Sequence, residues 1–157
     1  MYKKLLALLL ILGLALTGCS SKTKNVLDAV TVTGNLGSAP VITIGSNAPA
    51  SGTKLEIKDL AKGSGEAVKA TSTVTAHYTG VGLTSKQQFD SSWDRGQPID
   101  FPLSGVIKGW QEGLVGMQVG GRRVLSIPGE LAYGPTGNGV IGPNETLIFV
   151  VDLVGVK

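Results

Sequence analysis

The chain has 157 residues, enough for one ordinary domain and an extension, and carries 23 glycines, eight aromatics, one cysteine and one histidine. A single cysteine cannot build an internal disulfide framework, one Cys and one His cannot fill a four-ligand zinc site without carboxylates, and a hydrophobic content of 42% excludes wholesale disorder. The formal charge of +3 comes from 14 basic and 11 acidic residues, but Lys3 and Lys4 belong to the leader; the remainder is near neutral, and nucleic-acid binding loses its electrostatic argument.

The first element is an address. Lys3 and Lys4 precede Leu5 to Leu16, apolar apart from Gly13 and too short to span a bilayer, which takes about 20 residues. A charged start, a short apolar core and small residues after it predict a signal peptide over 1–18. Leu16-Thr17-Gly18-Cys19 resembles a bacterial lipobox, in which the chain is cut before the cysteine and the cysteine is acylated. Lipidation of Cys19 would explain why the one thiol stands there. It would hold the protein by its acyl chains on the extracytoplasmic face of a bacterial cell envelope. An ordinary signal peptide with a chance cysteine is the alternative.

Residues 19–53 read as a tether and a short β-containing extension. Ser20 to Lys24 is polar. Val30-Thr31-Val32-Thr33 and Val41-Ile42-Thr43-Ile44 alternate as short strands, and Ser46 to Thr53 has linker composition. Whether these strands add an edge to a larger sheet or form a stalk is open at this level.

Residues 54–157 carry the regular signals. Leu55 to Ile57 reads as a strand and Lys62 to Gly65 as a turn. Val74, Ala76 and Tyr78 alternate with Thr73, Thr75, His77 and Thr79 as a half-buried strand. Ile107, Trp110, Leu114 and Met117 form one stripe of a short helix, with Lys108 and Glu112 paired on its outer side. Gly109 and Gly113 each cost about 1 kcal/mol in a helix interior, so something must pack very close to them. Arg123 to Ile127 alternates again. Leu147, Phe149, Val151 and Leu153 share one strand face while Ile148, Val150 and Val154 make the other apolar too, which predicts a central strand. The sum is an α+β domain, an antiparallel sheet of about five strands against one short helix.

Two motifs fall away. Gly137 to Gly142 matches G-x-G-x-x-G, but Pro143-Asn144 and a strand follow where a pyrophosphate site needs a helix. His77 lies on the polar strand face with no nucleophile or acid in a hydrolase context, and reads as a solvated or structural histidine.

The mature chain's seven aromatics all lie from Tyr78 to Phe149, as either the domain's core or an aromatic-lined pocket would require. Their contexts are His77-Tyr78-Thr79-Gly80, Phe89-Asp90-Ser91-Ser92-Trp93-Asp94-Arg95, Val106-Ile107-Lys108-Gly109-Trp110, Ala132-Tyr133-Gly134 and Thr146-Leu147-Ile148-Phe149. In this order and spacing they closely resemble the FKBP-type peptidyl-prolyl cis-trans isomerases, over about Lys54 to Lys157.

The resemblance implies a strongly bent, half-barrel antiparallel sheet wrapped around a short helix. It makes Trp110 the floor of a pocket, Tyr78, Phe89 and Phe149 its walls, and Val106 and Ile107 its rim, and places Ile99, Phe101, Arg95, Val140 and Ile141 with Phe89 and Val106 among the substrate-binding residues. It implies that the Ile107 N–H and the Tyr133 hydroxyl bond substrate carbonyls, that Asp90 is held by Tyr78 and Arg95, and that Gly134 to Pro143 is a flap presenting Val140 and Ile141. Asp90 could instead be a turn-former with Ser91 and Ser92, and Tyr133 a plain loop tyrosine; Trp93 has no pocket role and is expected as partly exposed packing. The implied partners are proline-containing polypeptides and FK506-like macrolides. No cofactor, metal or nucleic acid is expected, and the protein is expected as a monomer. The departures are Ile99 where many members carry an aromatic, a flap about one residue shorter with Gly142 where proline is usual, and a longer Val81 to Gln88 turn. They leave open a proline-segment-binding module with little turnover. A solute-capturing transporter lipoprotein fails on size, since one small domain lacks a two-lobed cleft.

Overall fold

The computed structural model describes residues 24–157. The expected leader, Cys19 and the start of the tether lie outside them. The strands are β1 (Val30–Thr33), β2 (Val41–Ile44), β3 (Glu56–Ala61), β4 (Thr73–Gly82), β5 (Gln88–Ser91), β6 (Ile99–Pro102), β7 (Arg122–Ile127) and β8 (Leu147–Val156), and the described residues hold one α-helix, α1 (Lys108–Gly113), beside short 3-10 turns. β1 and β2 form a separate hairpin. The main sheet is antiparallel and six-stranded, in the order β3-β7-β8-β4-β5, with β6 also on β4.

β8 lies between β4 and β7, as its two apolar faces require. Its inner residues Leu147, Phe149, Val151 and Leu153 pack with Val74, Ala76, Tyr78, Leu125 and Ile127 around α1. Its outer residues Ile148 and Val150 pack with Val81, Leu83 and Val124 under Val26, Leu27 and Ile44. The extension is therefore the second layer of the sandwich, neither a stalk nor a new edge of the main sheet. Glu56 fixes its start: the carboxylate accepts the N–H groups of Val26 and Leu27, both at 2.9 Å. The β1–β2 loop closes over a buried ion pair. Arg122 donates to Asp152 at 2.7 Å and to the carbonyls of Gly34 and Ser38 at 2.9 and 2.6 Å, while the Gly37 N–H donates to Asp152 at 3.1 Å. Each buried charge thus has the extra hydrogen bonds that a desolvated pair requires.

Two expectations are corrected. The sheet has six strands where the alternation predicts about five, because β5 and β6 are four-residue strands laid end to end along one edge of β4. Gln88 to Ser91 has one apolar residue in four and Ile99 to Pro102 ends on a proline, so neither shows the clear alternation of the four-residue β1 and β2. The helix is shorter than its stripe. It stops at Gly113, Leu114 is its C-cap, and Gly116 takes φ +79°, yet Leu114 and Met117 remain buried from the following turn. Lys108 and Glu112 form no ion pair among the described residues. The close approach read from the helix glycines is present: a Cβ on Gly109 would lie 2.2 Å from Ile127 Cγ2, and one on Gly113 2.9 Å from Leu125 Cδ2.

Candidate active site

α1 crosses the concave face of the sheet, and a cavity of about 570 Å³ opens between them. Period-two alternation aims Tyr78 from β4 and Phe149 from β8 inward. β5 adds Phe89 and Asp90, and β6 adds Phe101. Val106 and Ile107 lie where the chain enters α1, and Trp110 stands one turn into the helix. Tyr133, Asn138, Gly139, Val140 and Ile141 close the cavity from the flap side.

Trp110 is the floor. It is buried and meets three rings edge-on: Tyr78 at 5.5 Å and 87°, Phe149 at 5.4 Å and 84°, and Phe101 at 5.4 Å and 71°. Phe89 meets Phe149 at 5.4 Å and 84°. Edge-to-face packing locks each ring and leaves an apolar surface of fixed shape. Gly80 is the residue that permits it. A Cβ there would lie 2.5 Å from Phe89 Cζ and 2.8 Å from Phe149 Cε1, so any side chain would push the two wall rings apart.

The polar groups stand at one wall. The Tyr78 hydroxyl donates to Asp90 Oδ2. Arg95 donates to Asp90 Oδ1 at 2.7 Å and to the Tyr78 hydroxyl at 2.6 Å, with its guanidinium 5.7 Å from the Tyr78 ring centre. Burial and the neighbouring carboxylate push the Tyr78 phenol up to about 12, so it remains a donor throughout neutral and mildly alkaline solution. Burial alone would raise the Asp90 carboxyl. The bonds from Tyr78 and Arg95 outweigh it and hold Asp90 below the usual carboxylate range. At the rim the Ile107 N–H donates to no group among the described residues, while its carbonyl accepts from Trp110 and Gln111 at 3.0 and 3.2 Å. The Tyr133 side chain is exposed at the cavity mouth.

The structure brings Tyr78, Phe89, Asp90, Phe101, Val106, Ile107, Trp110, Tyr133, Val140, Ile141 and Phe149 to one cavity. Two expected residues differ. Ile99 is not among the lining residues: two residues before Phe101 on β6 and paired with Ala76, it is half-buried and packs against the outside of the same aromatic core. Arg95 acts from behind the wall, through Asp90 and Tyr78. Sequence reasoning missed Gly105, which lines the cavity, and Gln111, whose side-chain amide donates to the Val106 carbonyl at 2.8 Å and fixes the rim. A glycine and a glutamine on a polar helix face carry no pattern that could have marked them.

The family model for FKBP-type peptidyl-prolyl cis-trans isomerase matches residues 64–154. The chain belongs to this isomerase family. A probable FK506-binding protein of Corynebacterium glutamicum is 51% identical over 100 residues, 64% of this chain and 85% of the relative. An FK506-binding protein of Streptomyces anulatus is 52% identical over 106 residues, 65% of this chain and 86% of the relative. The crystal structure of FkpA from Escherichia coli superposes with a TM-score of 0.63 at 46% identity, over 67% of this chain and 49% of that one. The protein is a peptidyl-prolyl isomerase, and the half-barrel around a short helix is the FKBP fold. The matched region begins at Ser64, so the extension that covers the outer face of the sheet lies outside it.

Proposed function

We propose that the protein is an isomerase tethered to the bacterial cell envelope through Cys19. It acts as a monomer on Xaa-Pro bonds of secreted or envelope proteins, on the extracytoplasmic side. The tether reading is supported by Leu16-Thr17-Gly18-Cys19 behind a charged and apolar leader. The site reading is carried by one observation: a rigid apolar cavity floored by Trp110 with the Tyr78–Asp90–Arg95 network in its wall.

An Xaa-Pro bond rotates over a barrier of about 18–20 kcal/mol, because amide resonance resists twisting. The twisted amide has lost that resonance and carries less charge separation, so an apolar pocket favours it relative to water. The proline ring sits on Trp110 between the Tyr78, Phe89 and Phe149 rings. The Ile107 N–H and the Tyr133 hydroxyl bond substrate carbonyls and hold the twisted geometry. Binding the transition state more tightly than either planar isomer is sufficient for catalysis without a nucleophile or general base. FK506-like macrolides compete for the same cavity, as the names of the FK506-binding relatives suggest.

The test is cis-trans isomerisation of a short Xaa-Pro peptide by residues 20–157, with and without macrolide. Activity that the macrolide abolishes is expected, and absence of activity in folded protein would overturn the reading. Asp90→Leu should lower kcat/KM roughly tenfold by leaving Tyr78 and Arg95 without their acceptor, and Tyr133→Phe a few-fold by deleting one carbonyl donor. Full activity in both variants would refute the site assignment.

A further inference from the structure

Of the aromatics in the isomerase domain, Trp93 alone stays outside the cavity. Its surroundings give it a task. β5 pairs with β4 down to Thr79, and β6 pairs with β4 from Ala76 onward. The segment between them, Ser92 to Pro98, therefore bulges past His77 and Tyr78. These two residues point to opposite faces of the sheet, and each grips the segment from its own side. On the concave face Tyr78 meets Asp90 and Arg95. On the convex face the His77 imidazole stacks on the Trp93 indole, with centroids 3.7 Å apart and planes 9° from parallel. The His77 Nδ1 lies 2.9 Å from Ser92 Oγ, which also accepts the Tyr78 N–H at 2.8 Å. Burial lowers the His77 pKa against the opposing pull of Asp152, its cross-strand neighbour on β8, so the ring in the stack is neutral at neutral pH.

We propose that Trp93 and His77 are positioning residues of the isomerase site: their stack on the convex face holds the Asp90–Arg95 segment in register with the Tyr78 hydroxyl on the concave face. The inference rests on the assignment of Tyr78, Asp90 and Arg95 to the site. The wall network needs such support. The side chains of Asp90 and Arg95 are 42% and 43% exposed, and an ion pair that open to water does not order a loop by itself. The backbone that carries both partners must be held from elsewhere, and Trp93 lies between them in the chain.

The experiment compares Trp93→Ala, Trp93→Leu and Trp93→Phe with Asp90→Leu in the full chain. It reads kcat/KM on an Xaa-Pro peptide, the urea midpoint, and the NMR signal of the Tyr78 hydroxyl proton, which exchanges slowly only while bonded to Asp90. Trp93→Ala and Trp93→Leu should lower kcat/KM roughly fivefold and broaden the hydroxyl signal, and Trp93→Phe, which keeps a flat ring, should restore both to within about twofold. Leu fills the volume without a planar stack, so it separates lost stacking from lost packing should Trp93→Ala unfold. If Trp93→Leu keeps full activity and a sharp hydroxyl signal while Asp90→Leu is impaired, the positioning role is wrong and the site reading stands. If Trp93→Phe falls as far as Trp93→Leu, or activity drops with the hydroxyl signal unchanged, the stack does not act through Tyr78 and the inference fails. Full activity in Asp90→Leu would show that the Tyr78–Asp90–Arg95 network does not serve the reaction, and would remove this inference with it.

Discussion

Tyr78 shows how much one side chain can be asked to do. Its ring is a wall of the cavity, its hydroxyl is the hub of the Asp90–Arg95 network, and its backbone N–H donates to Ser92 on the far side of the strand. Its phenol should therefore titrate above the usual range. In an absorbance titration of the tyrosinate band, Tyr78 is expected at about 12 against an ordinary value of 10.0. The sign follows from linkage: the folded state favours the neutral phenol, so this contribution to stability is complete below pH 10 and is lost as the pH rises through about 12. Replacing Asp90 by Asn should bring the transition down, because a neutral amide no longer disfavours a phenolate beside it. Ionisation of Tyr78 near 10 in the folded protein would contradict the burial and the hydrogen bond to Asp90 that raise it. At this scale the sequence was legible where a residue type and its neighbours are informative together, as in Tyr78, Asp90 and Arg95. It was silent on Gln111 and Gly105, whose roles come from where the backbone puts them.

The strands that announced themselves are the alternating or doubly apolar ones, the short β1 and β2 as well as β4, β7 and β8, since burial of one or both faces imposes a pattern on consecutive residues. β5 and β6 did not: Gln88 to Ser91 has one apolar residue in four, and Ile99 to Pro102 ends on a proline, which cannot donate to a ladder. The helix was visible from its stripe, but its length was not. Leu114 and Met117 are buried by the turn after it, so apolar spacing continued past the last helical hydrogen bonds. The helix glycines gave a sharper signal than the stripe. Gly109→Ala would gain up to about 1 kcal/mol of helix propensity, yet its methyl group would meet Ile127 Cγ2 at 2.2 Å, on a residue that is fully buried and branched at Cβ. Overpacking should win and lower stability by about 1–3 kcal/mol in urea unfolding, and a stabilised variant would show that α1 does not sit as closely on β7 as described.

At the scale of the whole molecule the extension is part of the fold. Val26, Leu27 and Ile44 complete the outer core, and the β1–β2 loop seals Arg122 and Asp152 from water. Leu27→Ala should cost about 2–4 kcal/mol in urea unfolding while kcat/KM stays within about twofold, because the outer layer lies across the sheet from the cavity. Arg122→Met should cost about 3–5 kcal/mol by leaving the Asp152 carboxylate buried and alone, and Asp152→Leu added to it should recover most of the loss. If Arg122→Met alone were neutral, the pair would be open to water.

The sequence by itself determined the α+β class and the central place of β8, while the aromatics and polar residues of the cavity were legible through their resemblance, in order and spacing, to the FKBP-type isomerases. The class and the central strand are written in local patterns, in which residue type, period and near neighbours carry the physical constraint. Tertiary structure alone decided that the extension covers the sheet, that Ile99 packs against the core outside the cavity lining, and that Arg95 works from behind the wall. It also gave Trp93 a partner on the opposite face. Each of these depends on contacts between segments distant in the chain, or on which side of a strand a short bulge falls, and alternation within a single segment does not encode that.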